Sequence, residues 1–276
     1  MKLLLFITGV FLNVHFAVNS LFAQNIMSYK EYQKTEHTEP YVWQLKSISG
    51  ELLYFGSRHS FNPEDSQFNK LKTFFKDFSP DIVYTEGFPA DVSSISNKEA
   101  IQKYGEFGLT WKLAGEANIE VYSLEPNRKK EIGYLQNKNW SNEQIILFYT
   151  LRQVAQSHQQ QVDIDLNKIL PQYLSSLKQR FGLTGPLTLH EFEQVVIRLL
   201  PDAEDWKEIP ASYFYPGPQK PEHFTNQIAT DSNQFRDKYH TEQIVKAVKG
   251  NNRVFVVAGS AHAVMQEPAI RALLFH

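Results

Sequence analysis

The chain contains no cysteine. Disulfides are therefore excluded as a source of stability, and the fold has to be held by a packed core. The same absence excludes a lipid-modified cysteine near the start, a Cys-Pro haem motif and a c-type haem attachment sequence. An excess of charge of one sign is also missing. The 28 basic and 30 acidic side chains leave a formal charge of −2, so binding to nucleic acid or to an anionic membrane surface is not expected. No internal repeat of solenoid length is visible.

The start of the chain differs from the rest. Met1-Lys2 is a short positive beginning, Leu3 to Leu12 is mainly apolar, and Asn13, His15 and Asn19 then interrupt the hydrophobicity. Leu21-Phe22-Ala23-Gln24 offers a small residue before a cleavage point. This pattern predicts a secretory signal over residues 1–23, cut after Ala23, and a secreted or periplasmic protein. The alternative is an uncleaved anchor, but the polar-interrupted stretch is short for a span of about 20 residues. Removing it takes Lys2 and no acidic residue, leaving 27 basic against 30 acidic side chains and a charge of −3. No membrane span is expected in residues 24–276. Their length suits one large domain, or a domain with an insertion.

Residues 24–40 are polar and read as a lead-in. Tyr41 to Ile48 has β character, Ser49-Gly50 turns, and Glu51 to Phe55 returns, which predicts a hairpin. Pro63-Glu64-Asp65 opens a helix carrying Phe68, Leu71, Phe74, Phe75 and Phe78 at helical spacing. Asp81 to Thr85 reads as a buried strand ending in Glu86-Gly87. A helix near 97–117 and a strand over Ile119 to Leu124 follow, ending in Glu125-Pro126. Alternating strands and helices at short intervals predict an α/β fold with a mainly parallel, mixed central sheet flanked by helices. From about 127 to 200 the pattern turns wholly helical, with Ser141 and Gln144 forming a capping box. This stretch is read as a helical insertion. Five prolines between Pro201 and Pro221 predict an extended connection. A helix near 232–249 leads to a last strand, Arg253 to Ala258, and a final helix over about 264–274.

Two of the strand-like runs, about two hundred residues apart in the chain, end alike. Leu52 to Phe55 runs into Gly56-Ser57-Arg58-His59, and Val254 to Ala258 runs into Gly259-Ser260-Ala261-His262. A glycine after a buried strand lets the backbone turn without a Cβ penalty, and the histidine then lies at the carboxyl edge where α/β sheets hold ligands. His59, Glu86 and His262 thus come from three strand ends, and Glu125 from a fourth. Histidine and carboxylate ligands suit zinc, manganese, cobalt or iron rather than calcium. Each residue has a plainer use. A Gly-x-x-His histidine can cap a helix or tie a loop, and Glu86 and Glu125 are also positions for solvated carboxylates. His158, His190, His223 and His240 lie in helical or proline-rich surroundings and are read as surface residues.

This layout resembles the TraB/PrgY/GumN group, which includes the Tiki proteases and is related in fold to erythromycin esterases and ChaN-like haem-uptake proteins. The resemblance rests on the hairpin leading to Gly56-Ser57-Arg58-His59, the strand leading to Glu86, the Gly259-Ser260-Ala261-His262 strand end, and Phe235-Arg236-Asp237, similar to the Arg-Asp pair that opens the family's penultimate helix. The family usually has threonine where this chain has Ser57. The resemblance implies a metal-dependent, peptidase-like hydrolase acting on a peptide or small molecule. It implies a divalent zinc, manganese or cobalt ion. His59 and His262 would be ligands or general bases. Glu86 would complete the metal shell or activate water, and Arg236 would hold a substrate carboxylate or stabilise an oxyanion.

Three other readings stay open. In a metal-free esterase one histidine is the base and Glu86 or Glu125 orients it. In an exported haem- or ligand-binding module, Tyr84, Tyr122 or the Tyr213–Tyr215 cluster would supply an axial ligand. A signal-sequestering role is the third. The hydrolase readings require His59, Glu86 and His262 to converge, with Arg236 approaching from the helix before the last strand.

Overall fold

A computed structural model describes residues 26–159, 165–203 and 205–275. The expected signal segment, residues 1–23, lies outside them. In chain order the elements are α1 (Tyr29–Tyr32), β1 (Tyr41–Ser47), β2 (Gly50–Ser57), α2 (Gln67–Phe78), β3 (Ile82–Thr85), α3 (Asn97–Glu116), β4 (Val121–Ser123), α4 (Arg128–Asn137), α5 (Asn142–Gln159), α6 (Leu166–Phe181), α7 (Leu189–Leu199), two short 3-10 turns (Trp206–Glu208 and Ala211–Phe214), α8 (Phe224–Lys249), β5 (Arg253–Gly259) and α9 (Ser260–Phe275). The fold is α/β, with a five-stranded, mostly parallel mixed sheet. None of the described helices is long and apolar enough to cross a membrane.

The described residues divide into two compact units. One runs to Glu125 and resumes at Asp237; the other is Pro126–Arg236. The sheet unit has strand order β1-β2-β5-β3-β4. β1 pairs antiparallel with β2 as the expected hairpin, with Tyr41 opposite Gly56. β2 and β3 both pair parallel with β5, Ser57 level with Gly259 and Thr85 level with Val257. The two runs with matching ends are therefore direct neighbours, and three carboxyl ends lie side by side.

Both faces of this sheet are covered, which explains the continuous apolar character of β2 and β5. Leu52, Tyr54, Val254, Val256 and Ala258 pack with Ile244, Val248, Ala263 and Ile270 on one face. Leu53, Phe55, Phe255 and Val257 pack with Phe68, Leu71, Phe75 and Leu109 on the other. Alternate residues of one strand thus serve two cores, as the period of two requires. Gly56 allows a close approach of α9 to the sheet. A Cβ there would lie 2.6 Å from the Ala263 Cβ and 2.8 Å from the Tyr41 carbonyl oxygen.

The helical unit has no strand among its described residues. Its core joins Leu135, Leu147, Phe148, Leu151, Leu174 and Phe192 with Trp206, Ile209, Phe214 and Ile228. The unit accordingly reaches Arg236 instead of ending near 200, because the proline-rich connection contributes buried aromatics. The Ser141–Gln144 capping box is present, with Gln144 N–H donating to Ser141 Oγ at 3.2 Å and Ser141 N–H to Gln144 Oε1 at 3.0 Å.

Several boundaries differ from expectation. α2 starts at Gln67, four residues after Pro63, because Asp65 is used as a cap on the Gln67 N–H at 3.0 Å. β4 is shorter than Ile119–Leu124. α8 begins at Phe224, well before 232. α9 begins at Ser260, directly after β5, so His262 lies in the first helical turn and not on a strand end.

Candidate active site

The site is built in the sheet unit. His59 sits in the loop two residues past β2, Glu86 immediately past β3, and His262 in the first turn of α9. The chain continues the ladder at Glu86, whose N–H donates to the Val257 carbonyl at 3.0 Å. Its Oε2 accepts from the Gly259 N–H at 3.1 Å, and its Oε1 lies 3.5 Å from His262 Nε2. A Cβ placed on Gly259 would stand 3.1 Å from His59 Nε2 and 3.7 Å from Glu86 Oε2. The structure therefore brings His59, Glu86 and His262 to one place, around the backbone of Gly259. Neither Gly56 nor Gly259 has a positive φ. Both glycines serve close approach within a strand, and the expected turn role does not apply.

Each imidazole is held from behind by a carboxylate. Glu106 of α3 is buried, and its Oε1 faces His59 Nδ1 at 2.6 Å and accepts from Ser57 Oγ at 2.9 Å. Asp237 of α8 is fully buried, and its Oδ1 faces His262 Nδ1 at 2.6 Å and accepts from Gln266 Nε2 at 2.7 Å. The Tyr54 hydroxyl donates to Gln266 Oε1 at 3.0 Å, which sets the amide orientation. Gln266 Nε2 also lies 3.2 Å from His240 Nδ1. With both Nδ1 atoms occupied, both Nε2 atoms are turned toward chemistry.

The electrostatics follow from three carboxylates around two imidazoles. The Glu106 hydrogen bond lifts the His59 pKa above its usual value. Burial presses His262 downward, but the charges of Asp237 and Glu86 outweigh it and push the pKa up to about 10. Both histidines are thus held in a field that favours a cation.

Asp237, His240 and His262 form a buried group whose ligand atoms all lie within 4.8 Å of one another, and this group could hold a metal ion. His240 is fully buried, which corrects its expected surface placement. Its ring tilts against that of His262 with centroids 5.3 Å apart. His158 and His190 are exposed.

The remaining expected residues are placed as follows. Glu125 stands half-buried just past the edge strand β4, its N–H held by Ser123 Oγ at 3.0 Å. Arg236 groups with the helical unit, where its Nη1 donates to Asn233 Oδ1 at 3.2 Å. Tyr84 and Tyr122 lie within β3 and β4, centroids 5.6 Å apart. Tyr213 stacks on the His223 ring at 3.8 Å.

The chain matches no protein-family model, no curated protein and no solved structure. What the site can do rests on its geometry.

Sequence reasoning missed Glu106, His240 and Gln266, and treated Asp237 only as part of a motif. A signal was available. Asp237, His240, Thr241, Ile244 and Val248 share one helical stripe, and all five are buried. Polar residues on an apolar stripe mark a buried network.

Proposed function

We propose that this protein is a metal-dependent hydrolase, peptidase-like as the TraB/GumN resemblance suggests, acting on a peptide or small molecule outside the cytoplasm. The observation that carries the reading is the pair of imidazoles with Nδ1 on a buried carboxylate and Nε2 facing the Glu86 side. The fit to a metal can be tested on one distance. Two ligand atoms about 2.1 Å from a tetrahedral metal lie about 3.4 Å apart, and His262 Nε2 and Glu86 Oε1 are 3.5 Å apart. That spacing is long for a charge-assisted hydrogen bond and suits two ligands of one ion.

Among the described residues the trio whose ligand atoms all lie within 4.8 Å of one another is Asp237–His240–His262, so His59 stands wider of the His262–Glu86 pair. His59, Glu86 and His262 would hold the ion once His59 closes on that pair, and their nitrogen and oxygen donors suit zinc, manganese or cobalt. The buried Asp237–His240–His262 group is better read as support for that site. His262 Nδ1 is taken up by Asp237, and His240 Nδ1 faces the Gln266 amide. A divalent ion held there would lower the pKa of a bound water and so would supply a nucleophile at neutral pH. The chain's own contribution is orientation and charge. Glu106 and Asp237 fix ring tautomer and direction, and the Gly259 N–H aims the Glu86 carboxylate. The reading uses residues of the sheet unit and assigns Arg236 and Glu125 no step.

The test is cleavage of a mixed peptide library, read by mass spectrometry, with protein stripped by chelator and reloaded with zinc, manganese or cobalt. Cleavage is expected only after reloading, and Glu86→Gln is expected to reduce it at least a hundredfold. No cleavage with any of the three metals, or an equally active Glu86→Gln variant, contradicts the reading.

A further inference from the structure

The helical unit contains a cavity of about 210 Å3 lined by Arg152, Gln156, Asn233 and Tyr215 together with Ala155, Ala211, Phe214, Pro216 and Ala229. At roughly 30 Å3 per water it has room for about seven waters. It is smaller than the 300–1,000 Å3 typical of drug-sized pockets. Its polar groups stand beside an apolar wall formed by Ala155, Phe214 and Pro216.

Arg152 is the charged residue of that lining. Among the described residues no hydrogen bond or ion pair engages its guanidinium; its contact is with the Phe148 ring, 5.9 Å from the centroid. Burial lowers its pKa first, and the like charges of Arg236 and Arg128 lower it further. Glu131 is the carboxylate that opposes them. That carboxylate is already engaged, since it accepts from the Tyr149 hydroxyl at 2.8 Å, the Ser232 hydroxyl at 2.6 Å and Arg128 Nη1 at 3.2 Å. A half-buried guanidinium that lines a cavity, with the opposing Glu131 carboxylate already engaged, is open to an anion. Its planar fork matches a carboxylate.

We propose that this cavity binds a small organic monocarboxylate, with Arg152 on the carboxylate and the Ala155–Phe214–Pro216 wall on a short apolar body. Asn233 and Gln156 supply amide groups for a polar substituent beside it. The site lies wholly within Pro126–Arg236, so it stands or falls apart from the hydrolase reading.

The experiment is calorimetric titration of the full chain with N-acetylvaline, its uncharged amide, and inorganic phosphate. N-acetylvaline is expected to bind with a millimolar or tighter Kd, and the amide at least tenfold more weakly. Arg152→Met is expected to weaken N-acetylvaline binding tenfold or more with little change in melting temperature, since among the described residues the guanidinium has no hydrogen bond or ion pair to lose and a Met side chain still covers the Phe148 ring. Arg152→Lys should retain part of the affinity and serves as the reading variant if Arg152→Met does not fold. Equal binding of acid and amide, undiminished binding by Arg152→Met, absence of N-acetylvaline binding, or phosphate binding in its place would each overturn the proposal.

Discussion

Glu106 determines how His59 can act. The carboxylate is buried and meets two donors, Ser57 Oγ and His59 Nδ1. Glu106→Gln keeps an oxygen acceptor in place and removes the charge. The His59 pKa, lifted by Glu106, is therefore expected to fall back toward the ordinary value near 6.5. The sign for stability follows. A histidine whose folded pKa is raised contributes stability that is complete below its unfolded pKa and is lost as pH rises through the folded one. The variant should lose that pH dependence. An NMR titration of the His59 ring checks this, and an unchanged pKa would remove Glu106 from the account. At this scale the sequence was partly legible. His59, Glu86 and His262 could be read because each follows a run of β-branched or aromatic residues. Glu106 could not, because a glutamate between Gly105 and Phe107 looks like any solvated helix residue until its burial is known.

At the scale of elements, α3 supplies the less obvious half of the site. It is kinked at Gly105, where φ is 61° and ψ is −142°, a conformation closed to residues with a side chain. A Cβ there would lie 2.9 Å from the Ser60 carbonyl oxygen. The kink brings the helix against the loop that carries His59 and places Glu106 one residue later. Gly105→Ala is expected to cost about 1–3 kcal/mol and to shift the His59 titration, because straightening the helix moves Glu106. Urea unfolding and the same ring titration measure both effects; a stable variant with an unshifted His59 would show that the kink is incidental. Elements with a strong period were legible from sequence, including the hairpin, the amphipathic α2 and the run of helices after residue 126. Their ends were not, because side-chain caps decide them. Asp65 delays α2 to Gln67, and α9 follows β5 without a linker.

At the scale of the whole molecule, the two units have separate cores, one around the sheet and one around Phe148 and Phe192. The sheet order β2-β5-β3 places three carboxyl ends side by side, and that order makes a site from residues as distant in the chain as His59 and His262. Strand types were readable from the sequence, but the order depended on long-range packing that no local pattern encodes. The central claim is that these three ends hold one divalent ion. Elemental analysis of purified protein, reloaded with zinc and then dialysed, tests it most directly. The account predicts about one ion per chain, lost in His59→Ala, which leaves the buried Asp237–His240–His262 group whole, and lost also in His262→Ala, with the circular dichroism spectrum retained. Wild-type protein that retains no ion, or a folded His59→Ala or His262→Ala variant that retains as much as wild type, would contradict it.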